Sequence, residues 1–242
     1  MVKYSGKTHK KHTQNEGYYM IIKGVIFDID GTLIDSMEAW NKVSLRYLES
    51  IGLTADEELG NRLFALTIGD AADYIIENFG LNEKREEVVS GMNGIMMNFY
   101  KTEAKLKDGA FELLELLEAD GIPMVIGTST DRALVETALE RLGIAKFFRR
   151  IFPCTEIGKS KAEPDLFLAA MKELNTQPED TWLFEDGLYS LKTGNALGIK
   201  TVGVYDKTSA ADQEDLERLA DIYSPEGESL EMLYERIRNY IS

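Results

Sequence analysis

The chain has 242 residues, 44% of them hydrophobic, and 27 basic against 42 acidic side chains give a net charge of −15. That length holds one sizeable domain, or one domain with a small accessory one, and the apolar share is globular rather than disordered. The acidic balance argues against a nucleic acid or an anionic membrane as partner, since both need a cationic face, and the single Cys154 excludes an intramolecular disulfide and a thiolate metal cluster.

Residues 1–19 hold Lys3, Lys7, His9, Lys10, Lys11 and His12 against one acid, Glu16, and show no apolar periodicity. They read as a flexible basic tail. Both histidines of the chain lie in it, which removes histidine from the chemistry of the body. No hydrophobic signal core is present, and no apolar run approaches the roughly 18–20 residues of a membrane span. A soluble, cytoplasmic protein is expected.

Ile21–Phe27 is a short apolar run of buried-strand type, followed by Asp28-Ile29-Asp30-Gly31-Thr32. From about Ser36 to Leu106 only helical patterns occur. Helices are predicted over Met37–Ile51, Asp56–Leu66, Asp70–Phe79 and Glu83–Lys101, with Gly52, Gly69 and Gly80 as stops or turns. From Asp108 onward helix and strand alternate. Helices are predicted over Ala110–Ala119, Asp131–Leu142, Pro164–Leu174, Leu188–Leu197, Asp215–Leu219 and Leu230–Tyr240. Strands are predicted over Pro123–Ile126, around Phe152, over Thr181–Phe184 and over Lys200–Val204. This alternation predicts an α/β fold: a doubly wound parallel sheet core with helices on both faces, from residues 20–35 and 105–242. Residues 36–104 are an inserted helical-bundle cap.

Ligands of open parallel sheets bind at the carboxyl ends of the strands. Here three predicted strands end in chemically capable residues: Asp28 and Asp30, then Thr128, Ser129 and Thr130, then Glu185 and Asp186. Lys161 sits in the loop before the Pro164 helix. Asp28 and Asp30, spaced by two, point to one side of an extended chain. Carboxylates about 4 Å apart repel by roughly 4 kcal/mol at an effective dielectric of 20. Such a pair divides naturally into one anion and one acid. The anion needs no base to act as a nucleophile, but it needs a cation to approach a phosphate. An oxygen-only ligand set favours Mg²⁺. Thr128-Ser129-Thr130-Asp131 has the composition of a helix cap, where free N–H groups welcome an anion. Each feature alone also fits a solvated loop, an ordinary cap or a surface lysine; their order along the chain is what points to a site.

Those residues, taken together, resemble the haloacid dehalogenase superfamily of phosphotransferases. The resemblance rests on Val25-Ile26-Phe27-Asp28-Ile29-Asp30-Gly31-Thr32-Leu33, Val125-Ile126-Gly127-Thr128-Ser129, Lys161-Ala162-Glu163-Pro164-Asp165 and Leu183-Phe184-Glu185-Asp186-Gly187, and spans about Met20 to Val204. The insert resembles the small helical cap of the β-phosphoglucomutase-like and phosphoglycolate phosphatase-like members. The resemblance implies that Asp28 is the nucleophile of an aspartyl-phosphate intermediate. It implies that Asp30 protonates the leaving oxygen and then activates water. Asp28, the Asp30 backbone carbonyl and Asp186 would hold Mg²⁺, with Glu185 helping. Thr128, Lys161 and the Ser129 backbone N–H would hold the phosphoryl oxygens. Trp40, in the first cap helix, is a candidate substrate contact. Departures are Gly187, where the family often has Ser or Ala, Tyr189-Ser190 in place of smaller text, and Ala162 where it often has Pro.

The second Asp, Asp30, argues against carbon–halogen hydrolysis, for the dehalogenases of the superfamily lack it. β-Phosphoglucomutases carry a histidine where this chain has Trp40, and usually lack a Thr at the place of Thr32. A Mg²⁺-dependent phosphatase acting on a small phosphorylated metabolite, a sugar phosphate by expectation, is therefore the reading, as a monomer. A β-phosphoglucomutase-type phosphotransferase and a non-catalytic phosphate-binding protein are the alternatives.

Overall fold

The computed structural model describes residues 22–240. The stretch 1–19, read as a basic tail, lies outside the described residues.

The chain enters through β1 (Gly24–Phe27), whose residues are all buried. Four helices follow: α1 (Met37–Ser50), α2 (Glu57–Phe64), α3 (Ile68–Phe79) and α4 (Arg85–Thr102). Local chemistry sets their starts. The Asp56 carboxylate accepts the Leu59 amide at 2.9 Å, the Thr67 hydroxyl accepts the Asp70 amide at 3.1 Å, and Glu87 reaches back to the Lys84 amide at 2.7 Å. The Thr67 cap explains the one clear difference from expectation in this region. Thr67-Ile68-Gly69-Asp70 is not a free turn but the cap and first turn of α3. Helix α1 packs against α2 and α4, and α3 against α4.

After the insert come α5 (Ala110–Ala119), β2 (Met124–Thr128), α6 (Arg132–Leu142), β3 (Phe148–Pro153), α7 (Cys154–Ile157) and α8 (Asp165–Leu174). Then follow β4 (Thr181–Glu185), α9 (Leu188–Leu197), β5 (Lys200–Val204), α10 (Gln213–Leu219), β6 (Ile222–Ser224) and α11 (Glu231–Tyr240). The strands form a six-stranded, all-parallel sheet in the order β3-β2-β1-β4-β5-β6.

The pleat sorts the apolar strands onto two faces. Val25 and Phe27 of β1, Met124 and Ile126 of β2 and Trp182 and Phe184 of β4 join one core cluster; Ile26, Val125 and Leu183 join another with α8. Phe27 and Phe184 pack with ring centroids 4.5 Å apart and planes tilted by 37° across the β1–β4 pair. The larger cluster runs on without a break into the insert through Leu48, Ile75, Met92 and Met96. The Met92, Met96 and Phe99 stripe is therefore bundle core.

Two strands exceed their sequence signal. β3 has exposed Arg149 and Arg150, charges that suit an edge strand and mask its periodicity. β6 is three residues long, too short for any period to register. No helix among the described residues is long and apolar enough to cross a membrane.

Candidate active site

The strand order reverses direction of growth between β1 and β4, and a doubly wound sheet opens its crevice at that point. Asp28 follows β1, and its amide continues the ladder to the Phe184 carbonyl at 2.9 Å. Glu185 ends β4 and Asp186 follows it. Asp28, Glu185 and Asp186 each bring a carboxylate oxygen within 4.8 Å of the others, and all three are buried. The donors are all hard oxygens, the chemistry that suits Mg²⁺.

Lys161 comes from the loop between α7 and α8 and is 1% exposed. A lysine so buried needs paired charge. It donates to Asp28 Oδ1 in a short contact and to Glu185 Oε2 at 3.1 Å. Burial alone would depress the ammonium pKa, but Asp28 and Glu185 outweigh it and hold the pKa well above its usual value. The carboxylates move the other way. Burial pushes Asp28 up, reinforced by Asp30 and opposed by Lys161. Burial and then the Asp28 charge push Glu185 up to about 8. Burial, Asp28 and Glu185 push Asp186 well above the carboxylate range. Three clustered acids around one ammonium are short of positive charge, and a divalent cation would fit that deficit.

Asp30 faces elsewhere. Its side chain lies outside the carboxylate group of Asp28, Glu185 and Asp186. Oδ1 accepts from Ser36 Oγ at 2.5 Å and from the Tyr100 hydroxyl in a short contact, and Oδ2 accepts from Thr130 Oγ1 at 2.7 Å. Thr128, buried at the end of β2, accepts the Thr130 amide on its hydroxyl oxygen at 3.0 Å and keeps its own proton to donate. Ser129 is exposed at the rim; its Oγ stands 3.5 Å from the Tyr189 hydroxyl and 3.8 Å from Cys154 Sγ. Asp131 does not cap α6 with its side chain. Its carboxylate instead accepts from Asn93 of α4 at 3.2 Å and from Thr155 of α7 at 3.0 Å. Trp40 is half-buried and donates its indole N–H to the Tyr100 hydroxyl at 3.0 Å.

Gly31 shows how tightly the loop after β1 is drawn. Its φ is +85°, and a Cβ there would sit 2.2 Å from Asp186 Oδ2. Left-handed backbone costs a non-glycine residue about 1–2 kcal/mol before any clash. Gly31→Ala is expected to lower the melting temperature by about 4–8 °C, as about 2 kcal/mol does in a domain of this size. It should also displace Asp186; a differential-scanning measurement showing an unchanged melting temperature would contradict the geometry.

A model of the haloacid dehalogenase-like hydrolase family matches residues 25–204. The chain belongs to that family. It is 29% identical over 181 residues to a bifunctional riboflavin kinase/FMN phosphatase of Arabidopsis thaliana, covering 74% of this chain and 48% of that protein. The chain thus spans about half the length of that relative. It is 24% identical over 181 residues to a phosphorylated carbohydrates phosphatase of Thermotoga maritima, covering 75% of this chain and 84% of that one. The crystal structure of a β-phosphoglucomutase from Clostridium difficile superposes with a TM-score of 0.69 at 21% identity, over 91% of this chain and 97% of that chain. That likeness shows the shared fold.

Within this haloacid dehalogenase-like hydrolase, the residues singled out from sequence gather at one sheet edge, although Trp40 reaches it through Tyr100. Sequence reasoning left out Ser36 and Tyr100, which together with Thr130 hold Asp30, and it gave no contact to Thr32, whose hydroxyl reaches Asp186 Oδ1 at 3.1 Å. It also left out Lys107, paired with Asp206 at 3.2 Å and a positive influence on Asp186. Tyr100 had a faint signal: it is the one polar-tipped side chain among the buried residues of α4.

Proposed function

We propose that this family member, a phosphoric monoester hydrolase, releases phosphate from a small phosphorylated metabolite, with a sugar phosphate as the expected class. Asp28, Glu185, Asp186 and the backbone carbonyl of Asp30 are the candidate ligands of Mg²⁺. The cation, when bound, supplies positive charge beside the phosphoryl oxygens. The observation that carries the reading is the buried Lys161, ion-paired with both Asp28 and Glu185 at the crevice between β1 and β4.

In the first step an Asp28 oxygen attacks phosphorus and the P–O bond to the leaving group breaks. The Asp30 carboxyl proton passes to the leaving oxygen, which departs as an alcohol. In the second step Asp30, now a carboxylate, takes a proton from water while that water oxygen attacks phosphorus. The Asp28–phosphate bond breaks, inorganic phosphate leaves, and Asp30 regains its proton. Lys161, the Thr128 hydroxyl and the Ser129 amide neutralise the phosphoryl oxygens, which is most of what this chemistry asks of a protein. Residues 36–104 serve as a cap whose closure over the core, residues 20–35 and 105–242, excludes water.

A panel of phosphorylated sugars and related metabolites, assayed for released phosphate with Mg²⁺, tests the substrate class. Free phosphate is expected from at least one sugar phosphate. With β-glucose 1-phosphate, accumulation of an isomerised sugar phosphate instead of free phosphate would replace this reading with a mutase. No phosphate release from any member would leave only phosphate binding.

A further inference from the structure

The two linkers that join the helical insert to the core run side by side past Asp30. Asp35 donates its amide to the Lys105 carbonyl at 3.0 Å, and Lys107 donates its amide to the Leu33 carbonyl at 2.9 Å. Ser36 lies on the first linker and Tyr100 in the last turn of α4, just ahead of the second. Both hydroxyls converge on one oxygen of Asp30, Oδ1. Tyr100 is fully buried and held at three points. Its hydroxyl receives the Trp40 indole N–H at 3.0 Å, its ring packs edge-on against Phe99 with centroids 5.5 Å apart, and its carbonyl accepts from Arg141 Nε of α6 at 2.5 Å. A hydroxyl accepting one hydrogen bond has its own proton directed to the remaining partner, here Asp30 Oδ1.

We propose that Tyr100, oriented by Trp40, is the positioning residue of the Asp30 carboxyl. This rests on the acid–base role of Asp30 given above. Oδ1 takes the two donors of the linkers and Oδ2 only one, Thr130 Oγ1 at 2.7 Å, so the lone pair left for the transferable proton is on Oδ2, and the Tyr100 contact sets the direction in which Oδ2 presents it. The Tyr100 hydroxyl spends its hydrogen bonds on Asp30 and Trp40, and the Asp28 charge reaches it only through space. A misdirected acid costs rate only where the leaving oxygen needs a proton in the transition state.

The test is leaving-group dependence. Tyr100→Phe keeps the packed ring and removes the donor. Glycerol 2-phosphate has a basic alkoxide leaving group that needs protonation, whereas p-nitrophenyl phosphate has a leaving group stable as an anion. kcat/KM reports the first step alone for each. For Tyr100→Phe it should fall about 30-fold or more with glycerol 2-phosphate and less than about 3-fold with p-nitrophenyl phosphate. Trp40→Phe should shift the same ratio in the same direction by a smaller factor, and it carries the test if Tyr100→Phe does not fold. Equal losses with both substrates, or no loss with either, would overturn the proposal. Asp30→Asn separates the two levels. If that variant shows no leaving-group bias, the acid role of Asp30 fails; if it shows the bias and the Tyr100 and Trp40 variants do not, only the positioning role fails.

Discussion

Asp28→Asn should abolish turnover while leaving the protein folded. Asparagine keeps the shape of the side chain but is no nucleophile, so the covalent step has no substitute. Loss of a group that forms the covalent intermediate is expected to lower kcat by about 10⁴-fold or more. Stability should respond differently. Asp28 is buried beside Lys161, and its anion also faces Asp30 and, across the cluster, Glu185 and Asp186. Neutralising it removes one attraction and relieves several repulsions. Lys161 keeps Glu185 as a partner at 3.1 Å, so no buried charge is stranded. The melting temperature should therefore stay within about 3 °C of the parent, a shift of less than roughly 1.5 kcal/mol. Phosphate release above about 1% of the parent rate from a folded Asp28→Asn protein would refute the nucleophile, since that residual rate is far above what loss of a covalent catalyst leaves.

Metal removal should have an effect of similar size. EDTA-treated protein is expected to lose more than about 99% of its activity and to recover it with millimolar Mg²⁺, because an anionic carboxylate and an anionic phosphate cannot approach without added positive charge. The pH dependence gives a second readout that needs no substrate. In the metal-free protein, burial and the neighbouring Asp28 raise Glu185 from 4.5 to about 8. Its folded state therefore holds a proton more tightly than its unfolded state. That contribution to stability is fully present below the unfolded value and is lost as pH rises through about 8. Asp186 is raised as well and adds in the same direction. Metal-free protein should lose stability between about pH 5 and 8. Mg²⁺ binds the ionised carboxylates, so its stabilisation should grow over the same window. Saturating Mg²⁺, at about 100 times its dissociation constant, adds about 2.7 kcal/mol, or roughly 5–10 °C in melting temperature. Melting curves at pH 6 and pH 8, with and without Mg²⁺, would check this. An Mg²⁺ shift equal at both pH values, or activity that survives EDTA, would remove the metal from this site.

Much of the architecture was legible because its signals are local. Helix α9 and strand β5 fall where residue patterns put them, since Lys200–Val204 is a short run rich in β-branched residues just after Gly198, too short for a helix of its own. Failures of the reading occurred where the deciding interaction was out of local reach or too brief. Thr67 moved the start of α3 through a single side-chain bond to Asp70. β6 exists because Val202–Val204 offer it an edge to pair with, an offer invisible in three residues of text. Asp131 has the composition of a cap but spends its carboxylate on Asn93 and Thr155, from two separate helices.

The chain of residues by itself determined the parallel α/β core, the inserted helices and the acids, hydroxyls and lysine at the strand ends, because burial, pleat and turn chemistry act over a few residues. Which carboxylate does what was decided only by the tertiary structure. Asp28 and Asp30 are two positions apart, yet one joins Lys161, Glu185 and Asp186 while the other is taken by Ser36, Tyr100 and Thr130. Those partners are separated from Asp30 by as many as 100 positions. No local pattern encodes such a partition; it arises when the sheet closes and burial obliges each carboxylate to take whichever donors the fold brings to it.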